Sequence, residues 1–420
     1  MKRFVLGGPM RRITHALALL LALAGTALAT AFGFGTSSQI AVTNTASQWA
    51  CCGSFKNNGK LDVCAIGALT NLSYLPGNGD GTFGTKSDLT TAGGSTCVAC
   101  ADLRNNGKLD LVVCSGATTN FLSTFLGNGD GTFGARADVA CTHPSFVALG
   151  DLDGDGKPDA VVVSFSDNNV KVLINNGSGA FGAPTNFTTG TNPAEVALAD
   201  VDGDGKLDIV TANYGAATIS VLLGNGAGSF GAKHDYTSVT GCYGVVIGDV
   251  NHDGFLDVVT SIYGATGTGN QVSVMLNTGA GQFPTHTEYT TQTVPLGIAL
   301  ADFNGDGLLD IVTCNYTGAN SVSVLLGVGD GSFPSHTEYT IGGTQPTHNP
   351  VIGDFNGDGK LDIVTPNTGS SNFSILLQNT TDVRGLNYAF GSPHSVLAPL
   401  VKQTRTVRGE IVVGGTVKGE

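Results

Sequence analysis

Apolar and polar residues alternate along most of the chain in short runs, cut by clusters of Gly, Asn, Asp, Ser and Thr. The runs VSVML from Val272 and VSVLL from Val322 have a period of two, the signature of a strand with one face turned to a core. Four such stretches fall within each unit of about 50 residues. In one unit they are 146–150, 159–165, 170–174 and 185–189. Helix-forming sequence is sparse after residue 31.

The unit recurs seven times. Its clearest landmark is a loop such as DLDGDGKPD, and the loops occupy 54–62, 102–110, 151–159, 200–208, 249–257, 302–310 and 354–362. Each is followed by an apolar strand, a Gly-rich turn and an aromatic residue: Phe83, Phe133, Phe181, Phe230, Phe283, Phe333 and, less regularly, Phe390. Four short strands per repeat, many times over, predict an all-β propeller of seven blades with four antiparallel strands each. The residue before each loop is always Gly or Ala (Gly53, Ala101, Gly150, Ala199, Gly248, Ala301, Gly353), which places the first strand innermost, where strands converge. The recurring Phe is expected to wedge between neighbouring blades. Two segments compete to close the ring: 34–45, which reads as a fourth strand without its blade, and the region of Phe390-Gly391.

The ends read differently. Residues 1–31 carry Lys2, Arg3, Arg11 and Arg12, an apolar run at 16–24 and A-x-A sites ending at Ala29 and Ala31, the pattern of a secretory signal peptide. Residues 32–399 form the repeat domain, and 400–420 read as a C-terminal tail. No segment is long and apolar enough to span a membrane, and the expected location is secreted, outside the cytoplasm.

Composition then narrows the chemistry. The net charge is −13 and the charged fraction only 13%. An acidic chain of this kind argues against nucleic-acid binding and favours cations. About half of its 33 Asp and Glu residues lie in five of the loops. Those five read D-x-[DN]-x-D-G-x-x-D, with side chains at positions 1, 3, 5 and 9 able to converge. They are Asp151, Asp153, Asp155 and Asp159; Asp200, Asp202, Asp204 and Asp208; Asp249, Asn251, Asp253 and Asp257; Asp302, Asn304, Asp306 and Asp310; and Asp354, Asn356, Asp358 and Asp362. A donor set made only of oxygen, with a backbone carbonyl at position 7 (Lys157, Lys206, Phe255, Leu308 or Lys360), suits Ca²⁺, so about five structural calcium sites are expected. The Gly at position 6 permits the bend. In the first two loops Lys56 and Arg104 occupy position 3 and Ser54 replaces the first Asp of loop 1, so an internal cation is expected there in place of a metal. An EF-hand would put its last acid at position 12 between helices, and tandem toxin-type repeats would recur every nine residues; neither fits.

Nine Cys are present, six of them between 51 and 114, which outside the cytosol points to disulfides in the first two repeats with at least one thiol left over. No nucleophile elbow, phosphate loop or His-Glu metal motif is found. His-Thr-Glu-Tyr-Thr occurs at both 286–290 and 336–340, with a related segment at His234, and repetition marks it as decoration of edge strands rather than an active site. Asn213, Tyr214, Tyr263, Asn315 and Tyr316 recur after the loops, on the connection between second and third strands. They are the candidate ligand residues, since Tyr with Asn suits sugar or protein contacts.

The loop DLDGDGKPD with its downstream Gly-rich turn and Phe-Gly resembles the FG-GAP, or VCBS, repeat family, which includes the seven-bladed propeller of integrin α subunits. The resemblance covers roughly residues 34–392, with Phe283-Pro284 and Phe333-Pro334 departing from Phe-Gly. It implies a secreted calcium-binding propeller acting as a non-catalytic binding or adhesion module for protein or glycan. A lectin, or a carbohydrate-active lyase or hydrolase on the same scaffold, is the alternative.

Overall fold

The computed structural model describes residues 33–41, 49–67, 70–318 and 320–379. The expected signal peptide, the tail at 400–420 and Phe390 lie outside them. The described residues form seven sheets of four antiparallel strands each, without a helix. Blade 3 is representative: Phe146–Gly150, Asp159–Ser164, Asn169–Leu173 and Thr185–Thr188, paired in chain order. Its first three strands are almost wholly buried and its fourth alternates toward solvent, because only the outer strand has a free edge. First strands of successive blades pack on one another around the axis, as expected.

The N-terminal segment closes the ring. Blade 7 takes Val351–Gly353, Asp362–Asn367 and Asn372–Leu376 from the end of the chain, and Ser38–Ala41 is its outer strand. The pairing runs from Ser38 opposite Ile375 to Ala41 opposite Asn372. A closed ring leaves no inner sheet edge to pair with another chain, and joining the two ends of the propeller through one sheet makes opening costly.

The recurring aromatic is a wedge between blades. Phe133 of blade 2 packs on Phe55 and Tyr74 of blade 1 at centroid distances of 5.6 and 5.8 Å. Phe230 packs on Phe187, Phe283 on Tyr236 and Phe333 on Tyr289, each pair at 5.4–5.5 Å. Phe34 fills the seventh place, 5.0 Å from Tyr339 and 5.9 Å from Phe303. Each ring lies edge-on to its neighbour, the arrangement its quadrupole favours.

Where the residue before the loop is Gly, its small size has a different reason from crowding at the axis. A Cβ on Gly150 would lie 2.7 Å from Cδ1 of Leu207, in the loop of the next blade, and one on Gly248 would lie 2.7 Å from Leu309. Gly53 meets Leu109 in the same way, and Gly353 meets Leu61 across the closure.

Some residues five positions before the loops meet across the axis. Trp49 of blade 1 meets Phe146 of blade 3 at 5.1 Å, and Asn349 of blade 7 meets Glu195 of blade 4. Both contacts skip blades, so they bridge the centre of the ring.

Candidate functional site

All seven loops share one backbone path on one face of the ring. Positions 4 and 6 are left-handed in every copy: Gly154 and Gly156 at φ 80° and 82°, His252 and Gly254 at 58° and 91°, Asn105 and Gly107 at 49° and 78°. Sequence reading recognised this demand at position 6 only; the signal at position 4 was the run of Gly, Asn and His, the residues that tolerate such a backbone. The path is held by the acids themselves. Asp151 accepts the amides of Gly154 and Gly156 at 2.8 and 2.9 Å, while Asp153 and Asp155 accept those of Asp155 and Lys157. Loops 4, 6 and 7 repeat the first pair at Asp200, Asp302 and Asp354.

The acid at position 9 begins the second strand and is fully buried in all seven blades. Asp159 accepts the amide of Leu152 on one oxygen and of Asn175 on the other, at 2.9 and 2.8 Å. Burial pushes Asp159, Asp208, Asp257 and Asp362 up to about 6 and Asp310 to about 8, against the amide bonds that pull them down. A cation beside them would offset that cost. One oxygen from each of Asp151, Asp153 and Asp155 lies within 4.8 Å of the others, and so do Asp200, Asp202 and Asp208. Lysines pair with the position-5 acids: Lys157 with Asp155 at 2.5 Å, Lys206 with Asp204 at 2.6 Å and Lys360 with Asp358 at 3.7 Å. The donor set fits a hard divalent ion, which needs several convergent oxygens.

The two degenerate loops differ from each other. Arg104 reaches the buried Asp110 through two bonds, at 2.7 and 3.2 Å, and donates to the carbonyl of Gly127 at 2.7 Å. It therefore gives the buried acid a positive partner from within its own loop. In loop 1 the expected role of Lys56 is taken by Tyr74, whose hydroxyl donates to Asp62 at 2.9 Å.

The opposite face carries the other candidates, and the structure divides them. Asn213 and Asn315 are fully buried. Asn213 donates to Thr218 and Ser220, and Asn315 to Ser321 and Ser323, bracing second strand to third, so neither amide is available to a ligand. Tyr214 and Tyr263 are half-buried and come together at 6.0 Å; Tyr316 lies next along the ring. Tyr243, on the first strand of blade 5, completes a triangle with them at 6.3 and 6.0 Å. Sequence reading missed it because it sits in the inner strand, where an aromatic reads as core. From Tyr243 the band continues inward to His348 at 6.3 Å, which stacks on Trp49 at 3.9 Å, and outward from Tyr214 to Phe165 at 6.2 Å. On the same face His143 Nδ1 lies 2.9 Å from Asp167, which also accepts from Ser164 and from the buried Lys171. The His-Thr-Glu-Tyr segments lie on outer strands, where His286 pairs with Glu288 at 2.6 Å, the decoration expected of them.

Residues 55–113, 151–211, 200–260, 262–313 and 302–365 match the FG-GAP-like repeat, together more than half of the chain. The chain belongs to that family. Among solved structures, this FG-GAP propeller is similar to BBS1N from a complex with ARL6DN, with a TM-score of 0.60, 11% identity and coverage of 84% of this chain and 99% of that one. It is similar to an Agrocybe aegerita lectin described as specifically recognising non-reducing terminal N-acetylglucosamine, with a TM-score of 0.53, 21% identity and coverage of 81% and 86%. It is also similar to virginiamycin B lyase from Staphylococcus aureus, with a TM-score of 0.56, 14% identity and coverage of 82% and 99%. At such identities the likeness is one of fold. No curated protein sequence matches the chain. Relative to the FG-GAP loop pattern, this chain departs in its first two blades, where Arg104 and Tyr74 meet the buried acid.

Proposed function

We propose that this FG-GAP propeller is an exported, non-catalytic binding module for a glycan, with calcium in loops 3–7 holding the ring and the ligand carried on the opposite face. The carrying observation is the aromatic band from His348 through Tyr243 and Tyr263 to Tyr214. Half-buried aromatic rings beside polar turns suit sugars, whose C–H faces stack while their hydroxyls find polar partners. The likeness to a lectin supports the reading. The calcium loops lie at the far ends of the first strands, so the ions stabilise the scaffold without touching the ligand. A glycan array on the calcium-loaded protein tests the proposal. It should give a restricted set of binders, and Tyr214→Ala with Tyr263→Ala should weaken each at least tenfold while the melting temperature holds. Full binding by that double variant, or an array with no binders, would overturn it.

One observation favours a carbohydrate-active enzyme instead. His143 is oriented through Nδ1 by Asp167 while its ring stays half exposed, an arrangement that fits a general base. Turnover of an array ligand that is lost in His143→Ala and kept in the tyrosine variants would establish this second reading.

A further inference from the structure

Three thiols meet at the interface between blades 1 and 2. Cys51 lies on the first strand of blade 1, directly opposite Cys64 in the ladder. Cys100 lies on the first strand of blade 2, and its Sγ donates to the carbonyl of Cys52 at 3.3 Å, which seats its sulfur against blade 1. Cys51 is within hydrogen-bond reach of both Cys100 and Cys64. Cys52, next along the strand, points the other way, toward the carbonyl of Ile352 in blade 7 at 3.9 Å. None of the nine cysteines is joined in a disulfide in the structure.

We propose that Cys51 and Cys100 are a disulfide-forming pair that staples blade 1 to blade 2 when the chain folds in an oxidising compartment. Two features select this pair. The link to Cys100 crosses between blades and closes a long loop of chain, whereas one to Cys64 would close a hairpin that the strand ladder already closes, and longer loops restrain the unfolded chain more. The sulfur of Cys100 is also the one that the neighbouring blade presents to Cys51.

The chemistry is thiol–disulfide exchange with a disulfide oxidant. The Cys51 thiolate attacks one sulfur of the oxidant and expels the other as a thiolate. The Cys100 thiolate then attacks the Cys51 sulfur of the mixed disulfide and expels the second half of the oxidant. The oxidant gains two electrons and two protons and leaves as two thiols. Cys51 and Cys100 are only 1% and 2% exposed, so exchange has to precede closure of the interface. Burial pushes the Cys51 thiol up against its contact with Cys100, and the contact with Cys51 together with burial pushes the Cys100 thiol up, which keeps both inert once the ring has formed.

The test is refolding of the full chain with a mixture of oxidised and reduced glutathione, then alkylation under denaturing conditions and peptide mapping without reductant. The expected product joins the peptide of Cys51 to that of Cys100 and is lighter by two hydrogens than the sum of the free peptides. Cys52→Ser, Cys64→Ser and Cys97→Ser should each keep the link, and Cys51→Ser or Cys100→Ser should each lose it. The oxidised protein should melt several degrees above the same preparation refolded in reductant. Alkylation of both Cys51 and Cys100, or a link from Cys51 to Cys64, would overturn the proposal. The refolding experiment is independent of what the aromatic face binds.

Discussion

The side-chain amide of Asn349, at the start of blade 7, donates to Oε2 of Glu195 in blade 4 across the centre of the ring, at 3.2 Å. The amide of Val245 approaches the same oxygen at 3.4 Å, and Oε1 has no hydrogen-bond partner among the described residues. Burial pushes the Glu195 carboxyl from 4.5 to about 8, outweighing these two donors, which pull it down.

Glu195 should therefore add its own pH dependence to stability, separable from that of the buried loop acids by comparison with a variant at this position alone. The folded protein holds the proton more tightly than the unfolded chain, so the contribution is complete below about pH 4.5 and is lost as pH rises through about 8. Glu195→Gln cannot ionise. The stability of the native protein relative to that variant should fall between pH 4.5 and 8, by on the order of a few kcal/mol. Chemical denaturation of both proteins across this range checks it; parallel curves would show that Glu195 stays ionised.

Calcium should stabilise the ring. An ion held by the folded state alone contributes about 2.7 kcal/mol per site at a hundredfold excess over its Kd. Chelation should lower the melting temperature, millimolar calcium should restore it, and magnesium should do so poorly because it demands a tighter octahedral shell. Identical melting curves in chelator and in calcium would reduce the loops to acidic turns.

Single loop substitutions should act locally and on one neighbour. Asp155→Ala should remove about one of five sites in calorimetric titration, with affinities that could be as weak as ~10⁻⁴ M. The carbonyl of Leu152 in the same loop accepts the amide of Gly228 in blade 4 at 2.8 Å, and Val201 in loop 4 accepts that of Gly281 in blade 5 at 3.0 Å. Hydrogen exchange at Gly228 should therefore quicken in Asp155→Ala while that at Gly281 is unchanged.

Loop 2 should be convertible. Arg104→Ala leaves the fully buried Asp110 without its ion pair and should cost about 3–5 kcal/mol, as breaking such pairs does. Arg104→Asp with Asn106→Asp rebuilds the acidic pattern. That variant should be destabilised in chelator, be rescued by calcium, and show one more site than the native protein in the same titration.

The contact between Gly53 and Leu109 should be measurable by a double-mutant cycle. Gly53→Ala drives a methyl into Leu109 Cδ1 and should cost about 1–3 kcal/mol. In a chain that already carries Leu109→Ala the same change should cost clearly less.

Much of this molecule is written in its local pattern. Asp at position 9, the turn glycines and the wedge Phe recur at fixed spacing because each blade solves the same problem with neighbours close in sequence, and blade count, strand count and loop geometry follow. The axis, the closure and the aromatic face are decided by the ring. Ser38 meets Ile375, Trp49 meets Phe146, and Glu195 meets Asn349 only when seven blades have been wrapped to a common centre. The same wrapping buries Asn213 while leaving Tyr214 beside Tyr263 and Tyr243. Periodicity specifies which face of a strand is buried, but it does not say what lies against that face. That depends on the curvature of the whole sheet stack, which brings distant turns to one surface.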